Sequence, residues 1–346
     1  MSKLSSILST VTTVGLDLAK RVFYVHCINA QGDIIVAKAL RRKDVLPFFK
    51  ALPTCLVGLE ACGSSHYWGR ELIALGHDAR LMPPAYVKPY VRRQKNDATD
   101  AAAICEAVTR PSMRFAEVRS VANQAILMHH KTRSLLVRQR TQLLNSLRGH
   151  LSEIGIIAAQ GPRNAQLLAQ QIREGHIDIP EAVAQALLPL TRQLAYLETA
   201  INDLDKVIAK LAKSDAMAKR LMSIPGIGPM TASALAATVR DINRFSGPRE
   251  FAAFLGLVPR QHSSGGKQRL GRITKMGNTY LRKLLVVGAH SVLYYREKHQ
   301  DSLRVWARKL METKPFKLVA VAIANKLARI AYAVMKSGQS YRGQPA

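Results

Sequence analysis

Val11-Thr12-Thr13-Val14-Gly15-Leu16-Asp17-Leu18 is a β-rich run that ends in an acid. Its reading decides the fold, because a strand that delivers a carboxylate at its end calls for a sheet around it. Outward from it, Arg21 to Asn29 reads as a second strand, with Val22, Tyr24 and His26 alternating against Phe23, Val25 and Cys27. Ala30-Gln31-Gly32-Asp33 is a turn signal, and Ile34 to Ala39 is a third strand. Asp44 is placed to cap a short helix through Leu52. Cys55 to Leu59 is a short apolar strand followed at once by Glu60. A helix from Gly63, a strand from His77 to Met82 stopped by Pro83-Pro84, and a helix from Asp97 to about Val108 capped by Asn96 complete the series. The order predicts an antiparallel meander of three strands that continues into an α/β sheet.

Charge is the strongest bulk signal. The 346 residues carry a net +28, which calls for a polyanionic partner. Residues 1–100 hold 14 Lys+Arg against 8 Asp+Glu, residues 101–215 hold 14 against 10, and residues 216–346 hold 23 against 5. The last third is therefore the expected nucleic-acid grip. No lipidation motif accompanies the basic residues, and the apolar stretch Leu318 to Met335 is broken by Lys326 and Arg329, so it reads as an amphipathic helix and no membrane partner is expected. Cys27, Cys55, Cys62 and Cys105 lack zinc-knuckle spacing. Together with the absence of a signal peptide they give the expectation of a cytoplasmic protein.

The middle of the chain is helical. Leu187, Leu190, Leu194, Leu197, Ile201, Leu204, Ile208 and Leu211 form an unbroken a/d heptad seam. Leu144, Leu147, Leu151 and Ile154 mark an earlier helix, and a Gly- and Pro-containing stretch from about Gly155 to Pro180 separates the two. Two arrangements fit, an antiparallel helical hairpin or a dimeric coiled coil.

Four acids sit where chemistry can use them. Asp17 and Glu60 end strands, and Asp97 and Asp100 lie three apart on one helix face. Taken singly, each reads as a surface acid or a cap. Taken together, they can converge at one end of a sheet, where they repel one another unless cations neutralise them. Two Mg²⁺ ions about 4 Å apart do this and serve phosphodiester chemistry. Mg²⁺ prefers oxygen ligands, which suits a set without His or Cys.

In the last third, Ser223-Ile224-Pro225-Gly226-Ile227-Gly228-Pro229 has two readings. It is a plain interhelical turn, or a helix-hairpin-helix-like turn in which Gly226 and Gly228 let backbone N–H groups face a phosphate. The loop Ser263-Ser264-Gly265-Gly266-Lys267 stands among Arg260, Lys267, Arg269, Arg272 and Lys275, with Arg282 beyond. These cations can draw phosphate, but composition alone does not make Ser264 a nucleophile, and no Ser-His-Asp arrangement lies nearby.

The residues then resemble a family. Val14 to Lys20, Gly58-Leu59-Glu60-Ala61-Cys62-Gly63 and Lys95-Asn96-Asp97-Ala98-Thr99-Asp100-Ala101 look like the DEDD-type insertion-sequence transposases, the Piv/MooV-like DNA recombinases. Pro225 to Gly228, Phe254 to Arg260, Ser264-Gly265 and Met276 to Arg282 match as well, so the likeness spans essentially the whole chain. The split Ser-Ser-Gly-Gly loop leans toward the subgroup whose elements insert into the ends of other repeats. The resemblance implies an α/β plus α protein in three parts: 1–125, a RuvC-like (RNase H fold) catalytic domain; 126–215, a helical coiled-coil oligomerisation region; and 216–346, a mostly helical, basic transposase domain. It implies Asp17, Glu60, Asp97 and Asp100 as ligands of Mg²⁺, and Ser264, with Ser263 as rival, as a nucleophile that becomes covalently linked to DNA. It implies donor and target DNA as substrates, a non-coding guide (bridge or seeker) RNA as partner, and a homodimer or a tetramer on DNA. The competing expectation is a RuvC-like Holliday-junction resolvase or repair nuclease that cuts with metal-activated water and has no need of Ser264.

Overall fold

The computed structural model describes residues 7–91, 96–157, 159 and 161–343. Lys95 of the third motif, and Ala158 and Gln160 of the linking stretch, lie outside the described residues. The chain divides into two compact units, 1–121 and 122–346.

The first unit is built on a five-stranded sheet in the order β3-β2-β1-β4-β5, with β1 Thr13–Asp17, β2 Val22–Ile28, β3 Ile34–Arg41, β4 Leu56–Glu60 and β5 Asp78–Met82. β1 pairs antiparallel with β2, and β2 with β3. β4 lies parallel to β1, with Leu59 opposite Leu16, and β5 lies parallel to β4. The meander thus turns into a parallel edge, as the sequence predicts. Phe23, Val25 and Cys27 of β2 are fully buried while their neighbours are not, the period-two pattern of a strand with one face in the core. Helices α1 Val45–Lys50 and α2 Ser65–Ala74 contribute Phe49, Trp68 and Leu72 to that core. Trp68 meets Phe23 edge to face at 4.9 Å.

Helix α3, Asp97–Val108, packs on β1, β2 and β4. Asn96 caps it: its side chain accepts from the Thr99 amide while the Thr99 hydroxyl accepts from the Asn96 amide. Two glycines let the helix down onto the sheet. A Cβ on Gly15 would stand 2.1 Å from the Ala101 carbonyl oxygen, and one on Gly58 would stand 2.8 Å from Val108 Cβ.

In the second unit, α4 Val121–Glu153, α5 Pro162–Arg173 and α6 Glu181–Ser214 share a core of Leu144, Leu147 and Leu151 with Leu168, Ile172, Leu187 and Leu194. An Arg133–Asp205 ion pair ties α4 to α6. Every position of the heptad seam from Leu187 to Leu211 is buried or half-buried within the single chain. Of the two arrangements the sequence allowed, the seam serves packing inside one chain.

The rest of this unit is a helical bundle with its own core: α7 Ala216–Leu221, α8 Pro229–Thr238, α9 Pro248–Phe254, α10 Thr279–Tyr294, α11 Ser302–Met311 and α12 Phe316–Ser337. A two-stranded β6–β7 ribbon, Pro259–Gln261 with Leu270–Ile273, projects from it. Helix α12 is long and apolar enough to cross a membrane, but Val319, Ile323, Leu327 and Ala331 bury its apolar side in the bundle core.

Candidate functional site

The acids are brought together by strand parity and helix register. Residues alternate sides along a strand, so Asp17 shares a face with Gly15, and Glu60 with Gly58, and that is the face on which α3 lies. Asp97 and Asp100 occupy the first turn of α3. A cavity of about 670 Å³ opens there, bordered by Asp17, Glu60, Asp100, Cys62 and Lys88. Asp17 has its pKa pushed up to about 6, first by burial and then by the negative charges of Asp100, Asp97 and Glu60.

Burial and this repulsion both penalise the ionised cluster, and the four acids offer only oxygen donors, the kind a hard divalent ion takes. Among the described residues, no three His, Cys, Asp or Glu side chains are gathered tightly enough to hold an ion. An ion binding here has to draw the carboxylates inward. Cys62 belongs to the quoted motif that carries Glu60, whereas nothing in its spacing singles out Lys88 as a cavity residue.

In the second unit, the predicted turn joins α7 to α8. Gly226 adopts a left-handed φ of +81°, and a Cβ on it would stand 2.6 Å from the Gly288 carbonyl oxygen, so packing against α10 requires this glycine. Gly228 differs. Its φ of −87° suits any residue, and a Cβ there would meet nothing within 4 Å. It leaves bare backbone at the start of α8. The turn borders a second cavity, about 700 Å³, together with Arg133, Tyr280, Lys283 and Arg304. Behind Tyr280 lies buried His130, with Nδ1 at 2.9 Å from the Tyr280 hydroxyl and Nε2 at 2.8 Å from the Ser233 hydroxyl. Burial, with Arg133 and His129 nearby, pushes the His130 pKa down to about 4. Sequence reasoning passed over His130, Arg133 and Arg304; only the place of Tyr280 inside the quoted motif Met276 to Arg282 offered a signal.

Ser263 and Ser264 lie on the exposed β6–β7 loop. The Ser263 hydroxyl accepts from Gln261 Nε2 at 3.1 Å and from the Arg269 amide at 3.3 Å. The Ser264 hydroxyl makes no hydrogen bond among the described residues; only its backbone pairs, with Lys267. Arg260, Lys267, Arg269, Arg272 and Lys275 are exposed around the ribbon. Arg282 is engaged in the fold: its guanidinium donates to the carbonyls of Leu255 and Met276 and to the Thr279 hydroxyl. Two motif glycines sit at that clasp. A Cβ on Gly256 would lie 2.1 Å from the Met276 carbonyl oxygen, and one on Gly277 would lie 1.9 Å from that of Phe254. These motifs anchor the base of the ribbon.

An acid cluster on an α/β sheet and a basic helical unit with an exposed ribbon suit a protein that works on a polyanion. A transposase family model with the DEDD domain of IS110 elements matches residues 14–156, and the model described as Transposase IS116/IS110/IS902 family matches residues 218–304. The chain is 46% identical to a probable family 20 transposase of Pseudomonas aeruginosa, over 96% of this chain and 99% of that protein. It is 37% identical to the transposase for insertion sequence element IS1328 of Yersinia enterocolitica, over 95% and 98%. With the transposase for insertion sequence element IS1111A of Coxiella burnetii it shares 36%, over 96% and 92%. The chain belongs to the IS110/IS116/IS902 family of insertion-sequence transposases. Membership implies an enzyme that binds DNA and cleaves and transfers its strands, and the DEDD-type domain suggests dependence on a divalent metal.

Proposed function

We propose that the protein recombines DNA through a covalent serine–DNA linkage, on an RNase H-like first domain that binds two Mg²⁺ ions. The observation that carries this reading is the proximity of Asp17, Glu60, Asp97 and Asp100, in which burial and then the charges of the other three raise the Asp17 pKa to about 6. The sheet order, with two parallel strands extending an antiparallel meander, supports the RuvC-like assignment. When bound, the ions polarise the phosphodiester and stabilise charge on its oxygens. The four carboxylates hold and position them. Residues 1–125 supply this centre, 126–215 a helical region whose heptad seam packs within one chain, and 216–346 the basic domain with the nucleophile.

In the proposed step, Ser264 Oγ bonds to phosphorus, one P–O ester bond of DNA breaks, the serine proton leaves, and the released oxygen takes up a proton. The unengaged Ser264 hydroxyl favours it over Ser263, whose hydroxyl already accepts two hydrogen bonds. Arg260, Lys267, Arg269, Arg272 and Lys275 gather phosphate about the loop, and the Gly226–Gly228 turn holds a further stretch of backbone. Arg282 serves that surface by holding the ribbon in place. A non-coding bridge RNA selects donor and target DNA, and joining two DNA ends brings together two or four copies of the chain, with the acids of one copy serving the serine of another. Strand cleavage by Asn or Ala variants at each acid tests the centre. Cleavage is expected to vanish while DNA binding persists; retained cleavage refutes the assignment.

A further inference from the structure

The C-terminal helices expose rings that the chemistry above does not use. Tyr294 is 77% exposed, Tyr295 41% and Phe316 41%. Tyr294 and Tyr295 stand edge to face with centroids 4.9 Å apart, and His290 lies 5.3 Å from Phe316. His290 and Tyr294 are one turn apart on α10, so the four rings border one patch of the second unit. Exposed aromatics gathered in this way mark an interaction surface.

Charge identifies the occupant. Lys298 Nζ sits 5.4 Å above the Tyr295 ring. From His290 to Leu318 there are seven Lys and Arg against three Asp and Glu. An apolar protein partner has no use for that excess, whereas a polyanion with flat faces matches both the rings and the cations. The surface also continues the hairpin cavity. Lys283, Val287 and Ser291 border that cavity, and His290 and Tyr294 extend the same helix away from it. From Lys283 to Tyr294 the helix rises roughly 16 Å, enough to carry a strand from a phosphate contact to a stacking contact.

We propose that Tyr294, Tyr295 and Phe316 form a stacking platform for unpaired bases of single-stranded nucleic acid, with the neighbouring lysines holding its backbone. The proposal rests on the reading of this unit as the nucleic-acid grip. Bases in a duplex keep their faces covered by one another, so the platform discriminates strand state rather than sequence.

The test measures binding of the full-length protein to labelled poly-uridine, poly-thymidine and a mixed-sequence blunt duplex by fluorescence anisotropy. Tyr294→Ala and Phe316→Ala are each expected to weaken single-strand binding roughly tenfold, the scale of one lost base–aromatic stack, and to leave the duplex unchanged. Tyr294→Phe keeps the ring and is expected to bind as the parent does. Tyr294 is exposed enough that its loss does not threaten folding, and melting temperatures check both variants. A loss on either single-stranded probe supports the platform, and the probe affected tells RNA from DNA. Unchanged single-strand binding, an equal loss on the duplex, or a change confined to self-association in ultracentrifugation overturns it. If the parent protein binds none of the three probes, the grip itself falls and the platform with it.

Discussion

Gly15 lies directly beneath Ala101, so close that a single added carbon would stand 2.1 Å from the Ala101 carbonyl oxygen. This contact sets the height of α3 over the sheet, and with it the position of Asp97 and Asp100 relative to Asp17. Gly15→Ala is expected to destabilise the protein by about 1–3 kcal/mol, the usual cost of overpacking. It should also reduce strand cleavage beyond what partial unfolding explains. Denaturant melts and cleavage on the same preparation check both effects; a neutral substitution would remove the glycine from the design of the site.

Asp17 gives a prediction about metal. A carboxyl raised to about 6 favours folding while protonated; that contribution is full below the ordinary value of 3.8 and is lost as pH rises through 6. At neutral pH the ionised cluster therefore costs stability, and a divalent cation offsets the cost. Mg²⁺ is expected to raise the melting temperature at pH 7.5 more than at pH 5, and chelation to reverse the gain. In Asp17→Asn the metal-dependent increment should shrink. An equal Mg²⁺ effect in parent and variant at both pH values would count against the cluster as the binding site.

The two serines separate by adduct trapping. Ser264→Ala is expected to abolish the covalent protein–DNA species on denaturing gels. Ser263→Ala should reduce it only in part, because Ser263 braces the loop through Gln261 and Arg269. The reverse ranking would reassign the nucleophile.

His130 predicts an acid-side weakness. Its pKa is pushed down to about 4 from 6.5, chiefly by burial, so the folded state prefers the neutral ring. A histidine depressed in this way contributes stability that is complete above pH 6.5 and falls as pH drops toward 4. The melting temperature should decline across that window, and His130→Gln, which does not titrate, should flatten the His130 part of the decline. Coincident pH profiles would show that His130 contributes nothing.

Much of the first unit was legible because its signals are local. The alternation in β2, the turn at Gly32 and the Asn96 cap each follow from a few adjacent residues, and the strand and helix bounds agree with them. The placement of Asp17, Glu60, Asp97 and Asp100 was also readable, since strand ends and helix first turns are local positions. What stayed hidden depends on contacts distant in sequence. His130 reaches Tyr280 across 150 residues and Ser233 across 103, and no periodicity within α4 announces either. The heptad seam shows the complementary limit. Its spacing reveals an apolar stripe, but spacing cannot say whether the covering surface comes from the same chain. Arg282 was grouped with the surface cations by charge alone, whereas its geometry commits it to two carbonyls and a hydroxyl.

The ribbon that carries Ser264 is clamped at its base by Gly256, Gly277 and Arg282, while its tip is exposed. Such an arm has a fixed root and an exposed end, where Ser263 is hydrogen-bonded to its neighbours and the Ser264 hydroxyl has no hydrogen-bond partner among the described residues. On the reading proposed above, the protein presents that hydroxyl without activating it, so the engaged strand has to complete its surroundings. The bare hydroxyl would then work as a safety catch, tying the timing of bond breakage to assembly on DNA.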